Sequence, residues 1–183
     1  MSKIIGVGMA ALALMVSFRG FGMTPFKQAL DQKKNAYVTD GLFTGGQAGS
    51  GSTLIKVRRS FSQKAQIERV IIDMGDKDAK PAQGEVGYFQ ASLDAKKKRV
   101  VLDLAQLKMT RMSEKQIKEV FKNSAYVASA EFTADPEDRS GSIVLNLKRP
   151  MKLEVFELKG KNKPARIVMD LSPAPTVPAK GQL

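Results

Sequence analysis

The 183-residue chain contains no cysteine, no histidine and no tryptophan. The common zinc, haem and iron–sulfur sites need cysteine or histidine ligands, and Ser-His or Cys-His nucleophilic catalysis needs the same residues. A calcium or magnesium site made only of carboxylates would remain, but no acidic spacing of the EF-hand type is present. The sequence therefore predicts no metal, no cofactor and no enzymatic activity.

Acidic residues are scarce relative to basic ones. The chain has 30 Lys and Arg against 18 Asp and Glu, a formal net charge of +12. Lys3 and Arg19 are the charges of the first 23 residues, and the remainder without them carries +10. Such a charge favours anionic partners: nucleic acid, acidic lipid or an acidic cell-wall polymer. Nucleic acid is not the expected partner, because aromatic residues make up only 7% and no RNP-type or helix-turn-helix pattern occurs.

Residues 1–23 have the pattern of an export signal. Lys3 supplies the positive start, and the run from Ile4 to Phe18 carries no charge. This run is shorter than the roughly 20 residues that span a bilayer. No clear Ala-x-Ala cleavage site follows, so two forms stay open: a cleaved signal peptide, or an inner-membrane anchor formed by residues 4–18. Both forms predict a periplasmic protein.

Residues 24–53 are predicted to be a helix followed by a flexible linker. A short polar helix is expected from Thr24 to Asn35, with Pro25 at an early helical position. The stretch from Gly41 to Ser52 is rich in Gly and Ser, which is typical of a tether. It lacks the Gly-x-x-x-x-Gly-Lys-Ser/Thr pattern of a phosphate-binding loop.

One short phrase occurs four times: an aliphatic run, then a carboxylate or amide, then a large aliphatic residue. Its copies are Arg69–Met74, Arg99–Leu104, Ser142–Leu147 and Arg166–Leu171. Such runs favour strands, and alternation sends Val100, Leu102 and Leu104 to one face, which must be buried. The Arg and Asp of one copy lie about 13 Å apart along an extended strand, so any ion pair must reach a neighbouring strand.

The strands form two similar units, residues 54–104 and 126–171. Each unit runs strand, aromatic residue (Phe61 or Phe132), polar turn and aliphatic strand, followed by a second pair of strands. Four strands in each half predict an internally duplicated β domain over residues 54–172.

A single helix is predicted between the halves, at residues 113–123. Ser113 and Gln116 have the spacing of a capping box, and Ile117 and Phe121 belong to an apolar stripe that we expect to pack on a sheet. After the second half, residues 173–183 are rich in Pro and Ala and are predicted to be a disordered tail.

The repeated phrase resembles the AMIN domain of bacterial envelope proteins. The copies that carry the resemblance are Arg69–Met74, Arg99–Leu104 and Arg166–Leu171, with Ile143–Leu147 as a weaker fourth. AMIN domains occur ahead of the catalytic domain of N-acetylmuramoyl-L-alanine amidases and ahead of the secretin domain of type IV pilus pores. The resemblance implies a mainly β fold: a duplicated sandwich of two small sheets with one helix between the halves. Because metal-dependent amidase chemistry needs histidine, it implies binding rather than hydrolysis.

Peptidoglycan stems carry carboxylates, which arginine binds through charge-assisted hydrogen bonds. The candidate ligand-binding residues are Arg58, Arg59, Arg69, Arg99 and Arg166. The sequence does not choose among them. Three carboxylates, Asp73, Asp103 and Asp170, occupy equivalent ends of the repeated strands, so architecture explains them better than acid–base catalysis.

The expected function is a non-catalytic, exported cell-envelope module that localises its owner by recognising peptidoglycan or another anionic envelope polymer. The alternative is a protein–protein adaptor of a type IV pilus, secretion or division apparatus, whose sheet edges pair with a partner strand. A nucleic-acid-binding protein is a third interpretation, and it would require a cytoplasmic location.

Overall fold

The computed structural model describes residues 33, 36–49 and 51–175. The predicted export signal or anchor, most of the helix predicted before Asn35, and residues 176–183 of the predicted tail lie outside these residues; Pro173, the first residue of that tail, is the last residue of a strand. In the described part of the chain, no helix has the length and apolar character needed to cross a membrane.

The described chain is mainly β, with ten strands and one helix, and this confirms the predicted fold class. The helix is α1 (Glu114–Phe121). The strands are β1 (Gly41–Gly45), β2 (Ser52–Ser62), β3 (Ile67–Gly75), β4 (Phe89–Asp94), β5 (Arg99–Leu104), β6 (Leu107–Thr110), β7 (Val127–Asp135), β8 (Ser140–Leu147), β9 (Met151–Leu158) and β10 (Ala165–Pro173).

The strands form two five-stranded sheets. Sheet 1 has the order β6-β2-β3-β10-β9, and sheet 2 has the order β1-β4-β5-β8-β7. Neighbouring strands are antiparallel, except that β6 runs parallel to β2. One apolar core contains residues from both sheets, as in a β-sandwich.

The duplication predicted from the sequence is visible in the topology. The first half supplies hairpin β2–β3 to sheet 1 and hairpin β4–β5 to sheet 2. The second half supplies its first hairpin, β7–β8, to sheet 2 and its second, β9–β10, to sheet 1. Each sheet therefore joins one hairpin from each half, and the central pairs are β3 with β10 and β5 with β8.

A β-bulge lies at the same place in both halves. The register of β2 with β3 shifts between Leu54 and Lys56, and the register of β7 with β8 shifts between Val127 and Ser129. An extra residue reverses the alternation of a strand. This explains why Leu54 falls out of phase with Val57 in the sequence although both side chains are buried.

Alternation along the repeated phrases places the core as predicted. In β5, Val100, Leu102 and Leu104 are buried, and Asp103 on the opposite side is exposed. Each of the four phrases contributes its core-facing aliphatic residues in this way, since successive side chains of a strand point to opposite faces. The other side of each phrase therefore forms the outward face of a sheet.

Helix α1 begins at the predicted capping box. Ser113 Oγ accepts a hydrogen bond from the backbone N–H of Gln116, and Gln116 Oε1 accepts one from the N–H of Ser113. Ile117 and Phe121 are buried in the core, while the lysines of the helix are exposed. The helix contacts β7 and β2, the two strands that follow equivalent paths in the two halves.

Three local expectations differ from the structure. The Gly/Ser-rich stretch predicted as a flexible tether contains β1, which pairs with β4, because glycine can join an edge ladder when a neighbour offers its backbone. Strand β6 was not predicted, since Leu107–Thr110 has only four residues and two of them are polar. Phe61 and Phe132 do not occupy the same register position: Phe132 lies opposite Ile143, and the equivalent position in β2 is Arg59, opposite Val70.

Candidate functional site

The repeated phrases meet in antiparallel pairs, so that the polar end of one lies opposite the polar end of another. In sheet 1, Arg69 is opposite Asp170 and Asp73 is opposite Arg166. In sheet 2, the pair equivalent to Arg69 and Asp170 is Ser142 and Asp103, and the pair equivalent to Asp73 and Arg166 is Asn146 and Arg99. The two outward faces therefore share a plan but differ in charge.

The outward face of sheet 1 is held by a buried ion pair between Arg69 and Asp170. Arg69 Nε donates to Asp170 Oδ1 at 2.6 Å, and Nη2 donates to Oδ2 at 2.7 Å. Both side chains are 0% exposed. The guanidinium also lies 5.5 Å from the ring centroid of Phe156 on β9. Arg69 is therefore a structural residue and not a ligand contact.

Lys33 extends this cluster from the segment that precedes β1. Its Nζ lies 3.0 Å from Asp170 Oδ2 and 3.2 Å from Glu154 Oε2, and it donates to the hydroxyl of Tyr37. The backbone N–H of Ala36 donates to Glu154 at 3.1 Å. Burial alone would lower the pKa of Lys33, but its hydrogen bonds with Tyr37 and Asp170 outweigh this and raise the pKa. The positive charges of Lys33 and Arg69 and the negative charges of Glu154 and Asp170 thus neutralise each other in a buried cluster.

Two further candidates are also committed to carboxylates. Arg58 forms a bidentate pair with Asp73, at 2.7 and 2.8 Å, and this pairing raises the pKa of Arg58. Arg59 donates to the backbone carbonyl of Val120 at 2.7 Å and lies 3.3 Å from Glu68, so it ties helix α1 to sheet 1. Both guanidinium groups therefore already hold a carboxylate of the protein.

Arg166 differs from Arg58 and Arg69, because it forms no ion pair among the described residues. It is partly buried, and among the described residues its Nε has no hydrogen-bond partner. Burial lowers its pKa, the charge of Asp73 acts in the opposite direction, and Arg58 lowers it further. The carboxylate of Asp73 already accepts two hydrogen bonds from Arg58, so Arg166 has both this paired carboxylate and a second cation near it.

Arg99 is the repeat equivalent of Arg166 on the other sheet, and its surroundings are different. Asn146 lies opposite it in place of Asp73, and Glu131 stands where Arg58 stands in sheet 1. Within the described part of the chain, Arg99 forms no ion pair and its Nε has no hydrogen-bond partner. Of the five predicted residues, Arg99 and Arg166 are the two that form no ion pair in the described part of the chain, and Arg166 differs in having the charge of Arg58 beside it.

The outward face of sheet 2, which we call the open face, is formed by polar and small aliphatic residues of β1, β4, β5, β8 and β7. Its members are Leu42, Thr44, Gln90, Ser92, Asp94, Arg99, Val101, Asp103, Ser129, Glu131, Thr133, Ser142, Val144 and Asn146. All are exposed or partly exposed. By contrast, the equivalent face of sheet 1, the closed face, has Ile71 at 6% and Val168 at 0% exposure.

The open face is polarised along its strands. The turn from β4 to β5 carries Lys96, Lys97 and Lys98 next to Arg99. The other end has Asp103 and, beyond it, Asp135 at the end of β7 and the turn to β8, which carries Glu137, Asp138 and Arg139. Between the ends, one row across the sheet contains Leu42, Ser92, Val101, Val144 and Glu131, so its three apolar members are Leu42, Val101 and Val144. An anionic group is therefore attracted to the Arg99 end and repelled from the Asp103 end.

The polar side chains of the open face are hydrogen-bonding groups. Nowhere in the described residues do three acidic side chains come together as a possible metal site. Asp73 and Asp170, two of the three equivalent carboxylates, are neutralised by Arg58 and Arg69. What the open face presents is a guanidinium, amides and hydroxyls on a rigid sheet, which suits the binding of an extended polar ligand.

The scan against protein-family models matches none of them, and the search of the curated proteins finds no similar sequence. Sequence reasoning also missed Lys33 and Glu154, which complete the closed face. A glutamate in the alternating run from Met151 to Leu158 is a signal of a buried partner, because an isolated carboxylate is costly to bury. Lys33 carried no comparable signal, since it lies in a polar stretch.

Proposed function

We propose that this chain is a non-catalytic, exported cell-envelope module of the AMIN type, and that its open face binds peptidoglycan or another anionic envelope polymer. The observation that carries the proposal is the difference between the two faces of one duplicated fold. Arg69 and Asp170 form a buried ion pair on one face, whereas Arg99 on the other face forms no ion pair among the described residues, with Asp94 opposite it on β4. A periplasmic location rests on the export pattern of residues 1–23.

The physical chemistry of the open face supports an anionic, extended ligand. A guanidinium binds a carboxylate through two parallel hydrogen bonds, and the three lysines beside Arg99 strengthen the local attraction. The apolar residues Leu42, Val101 and Val144 offer contact area for the less polar parts of the same polymer. The net charge of +12 favours encounter with such a polymer at low ionic strength.

Co-sedimentation with purified sacculi tests the proposal. Arg99→Gln removes the guanidinium but leaves a polar side chain of similar length, and we expect binding at low salt to weaken about tenfold. The matched control is Lys115→Gln, which removes the same charge from an exposed position on helix α1. Equal loss in both variants would indicate only general charge attraction. Unchanged binding by Arg99→Gln, or no binding by the natural chain, would contradict the proposal.

A second function, an adaptor of a pilus, secretion or division apparatus, is favoured by the edge of sheet 2. Strand β7 is an edge strand of nine residues, and a groove of about 590 Å³ lies between it and helix α1. An exposed edge offers backbone hydrogen bonds to an added strand. A photocrosslinker at Thr133 would then capture one dominant envelope protein, whereas the same group at Arg111 would not. Sacculus binding without such capture would favour the first function.

A further inference from the structure

A cleft lies at one margin of the sandwich, between edge strand β1 of sheet 2 and edge strand β9 of sheet 1. Its volume is about 350 Å³, which is within the range of small-molecule sites. The lining is largely apolar, and three of its members are the aromatic residues Phe43, Phe89 and Phe156. The cleft therefore has the size and the walls of a binding site for a small organic group.

Glu157 places a carboxylate in this apolar lining. It lies opposite Ile167 of β10, and Val155 lies opposite Met169; both partners on β10 are fully buried in the main core. Because side chains alternate along a strand, Val155 and Glu157 are on the side of β9 that faces sheet 2. The carboxylate is thus at the margin of the apolar interior, where a charge without a partner is costly.

The carboxylate of Glu157 is only partly satisfied. The backbone N–H of Gly46, directly after β1, donates a hydrogen bond to it. Its Oε2 is buried and has no hydrogen-bond partner among the described residues. The ammonium of Lys159 pairs with Glu85 at 2.7 Å, and that of Lys33 lies on other carboxylates. In the described part of the chain, Glu157 therefore has no counter-ion of its own.

We propose that this cleft binds an aliphatic primary ammonium group, with the carboxylate of Glu157 as its counter-ion and the apolar walls around its alkyl chain. An ammonium is a compact charge with three hydrogen-bond donors, one of which can meet the free Oε2. Aromatic rings in the walls add attraction for a cation. A metal ion is a poorer fit, because one free carboxylate supplies too few oxygen ligands.

The electrostatics of the cleft support a cationic ligand. Burial and the charge of Glu85 raise the pKa of Glu157, so the free protein disfavours the charged carboxylate, and a bound cation would compensate for this. The ammonium can belong to a free diamine or to a lysine-type side chain of a peptide, which share this chemistry. The proposal does not depend on what the open face binds.

An NMR titration of the full chain with pentylammonium chloride tests the site. The amide signal of Gly46 is the local reporter, and we expect it to shift saturably. Pentanol has the same alkyl chain without the charge and should produce no comparable shift. Glu157→Gln keeps a polar side chain of similar size and should weaken pentylammonium binding about tenfold, because the counter-ion is lost. Glu137→Gln removes the same charge from an exposed turn and should leave the affinity unchanged.

Thermal unfolding provides a second readout, since a ligand that binds only the folded chain raises its Tm. Pentylammonium should raise the Tm of the natural chain and of Glu137→Gln, but not that of Glu157→Gln. Cadaverine and Nα-acetyl-lysine amide then distinguish the two sources: the tighter ligand indicates a free diamine or a peptide side chain. Three results would overturn the proposal: no saturable shift at Gly46 together with no rise in Tm, equal binding of pentanol, or equal binding by Glu157→Gln and Glu137→Gln.

Discussion

Arg69 and Asp170 lie directly opposite each other on β3 and β10, and their bidentate pair joins the first half of the repeat to the second. The corresponding positions in sheet 2 are Ser142 and Asp103, which face solvent. Equivalent positions therefore hold a buried ion pair on the closed face and exposed polar side chains on the open face. This difference leads to the first prediction.

Asp170→Asn should destabilise the domain strongly. The substitution leaves Arg69 and Lys33 buried without their shared carboxylate, and breaking a buried pair costs about 3–5 kcal/mol. Asp103→Asn is the matched control, because it makes the same chemical change at the equivalent exposed position and should stay within about 0.5 kcal/mol. Denaturant unfolding of both variants measures the difference. Equal effects would contradict the role of the pair.

The double variant Arg69→Met/Asp170→Leu should recover much of the stability lost in Asp170→Asn. A buried ion pair replaced by apolar side chains of similar size is often neutral or stabilising, since the desolvation cost of both charges disappears. Lys33 keeps Glu154 as its partner in this variant. Urea unfolding measures the free energy of unfolding of both variants. A double variant that is less stable than Asp170→Asn would contradict the prediction.

Gly46 and Gly49 should respond differently to alanine. Both have a positive φ, of 76° and 91°, which costs an alanine about 1 kcal/mol. A Cβ on Gly46 would also lie 2.2 Å from the carbonyl oxygen of Gly87, whereas nothing lies within 4 Å of a Cβ on Gly49. We expect Gly46→Ala to lower the free energy of unfolding by about 2 kcal/mol more than Gly49→Ala. A truly flexible tether would tolerate both substitutions.

Glu157→Gln should stabilise the domain at neutral pH and have little effect in acid. Burial raises the pKa of Glu157 above its usual value of 4.5, and the charge of Glu85 raises it further. A hydrogen bond from the backbone N–H of Gly46 and the positive charge of Lys159 lower it by less. The folded state therefore favours the protonated carboxyl, whose stability contribution is present below pH 4.5 and is lost as the pH rises through the raised pKa. Thermal unfolding from pH 3.5 to 7.5 should show the two curves separating with rising pH. Glu137→Gln, at an exposed turn, should show no such separation.

Ser113→Ala should weaken the attachment of helix α1. The substitution removes the side chain that caps the N–H of Gln116, which costs about 1 kcal/mol. Ser60→Ala, at an exposed position of β2, serves as the control and should be nearly neutral. Chemical denaturation compares the two. Equal stability of both variants would mean that the cap contributes nothing.

Local pattern was sufficient to predict the helix and eight of the ten described strands. The phrase Arg99–Leu104 coincides with strand β5, and Ser113 caps the helix as its spacing with Gln116 predicts. Both signals are local: alternation reports burial of one face, and capping involves neighbouring residues only. The glycine-rich composition of β1 predicted a flexible linker, but this segment forms a strand because it pairs with β4.

The choice among the arginines could not be made from sequence. Whether Arg99 or Arg69 has a carboxylate partner depends on which strands are neighbours and in which register, and a hydrophobic pattern does not specify this. The sequence does show that the copy Ser142–Leu147 has Ser142 and Asn146 where the copy Arg69–Met74 has Arg69 and Asp73. Its meaning depends on the fact that each sheet takes one hairpin from each half.

The exchange of hairpins between sheets has an evolutionary consequence. A half-length ancestor with one copy of the unit could complete these sheets only as a homodimer, and the two outward surfaces of a symmetric dimer are identical by construction. A single polypeptide that contains both halves is free of that constraint, because a substitution alters one surface only. The two outward surfaces of this chain differ accordingly: Ser142 and Asn146 in sheet 2 stand where sheet 1 has Arg69 and Asp73.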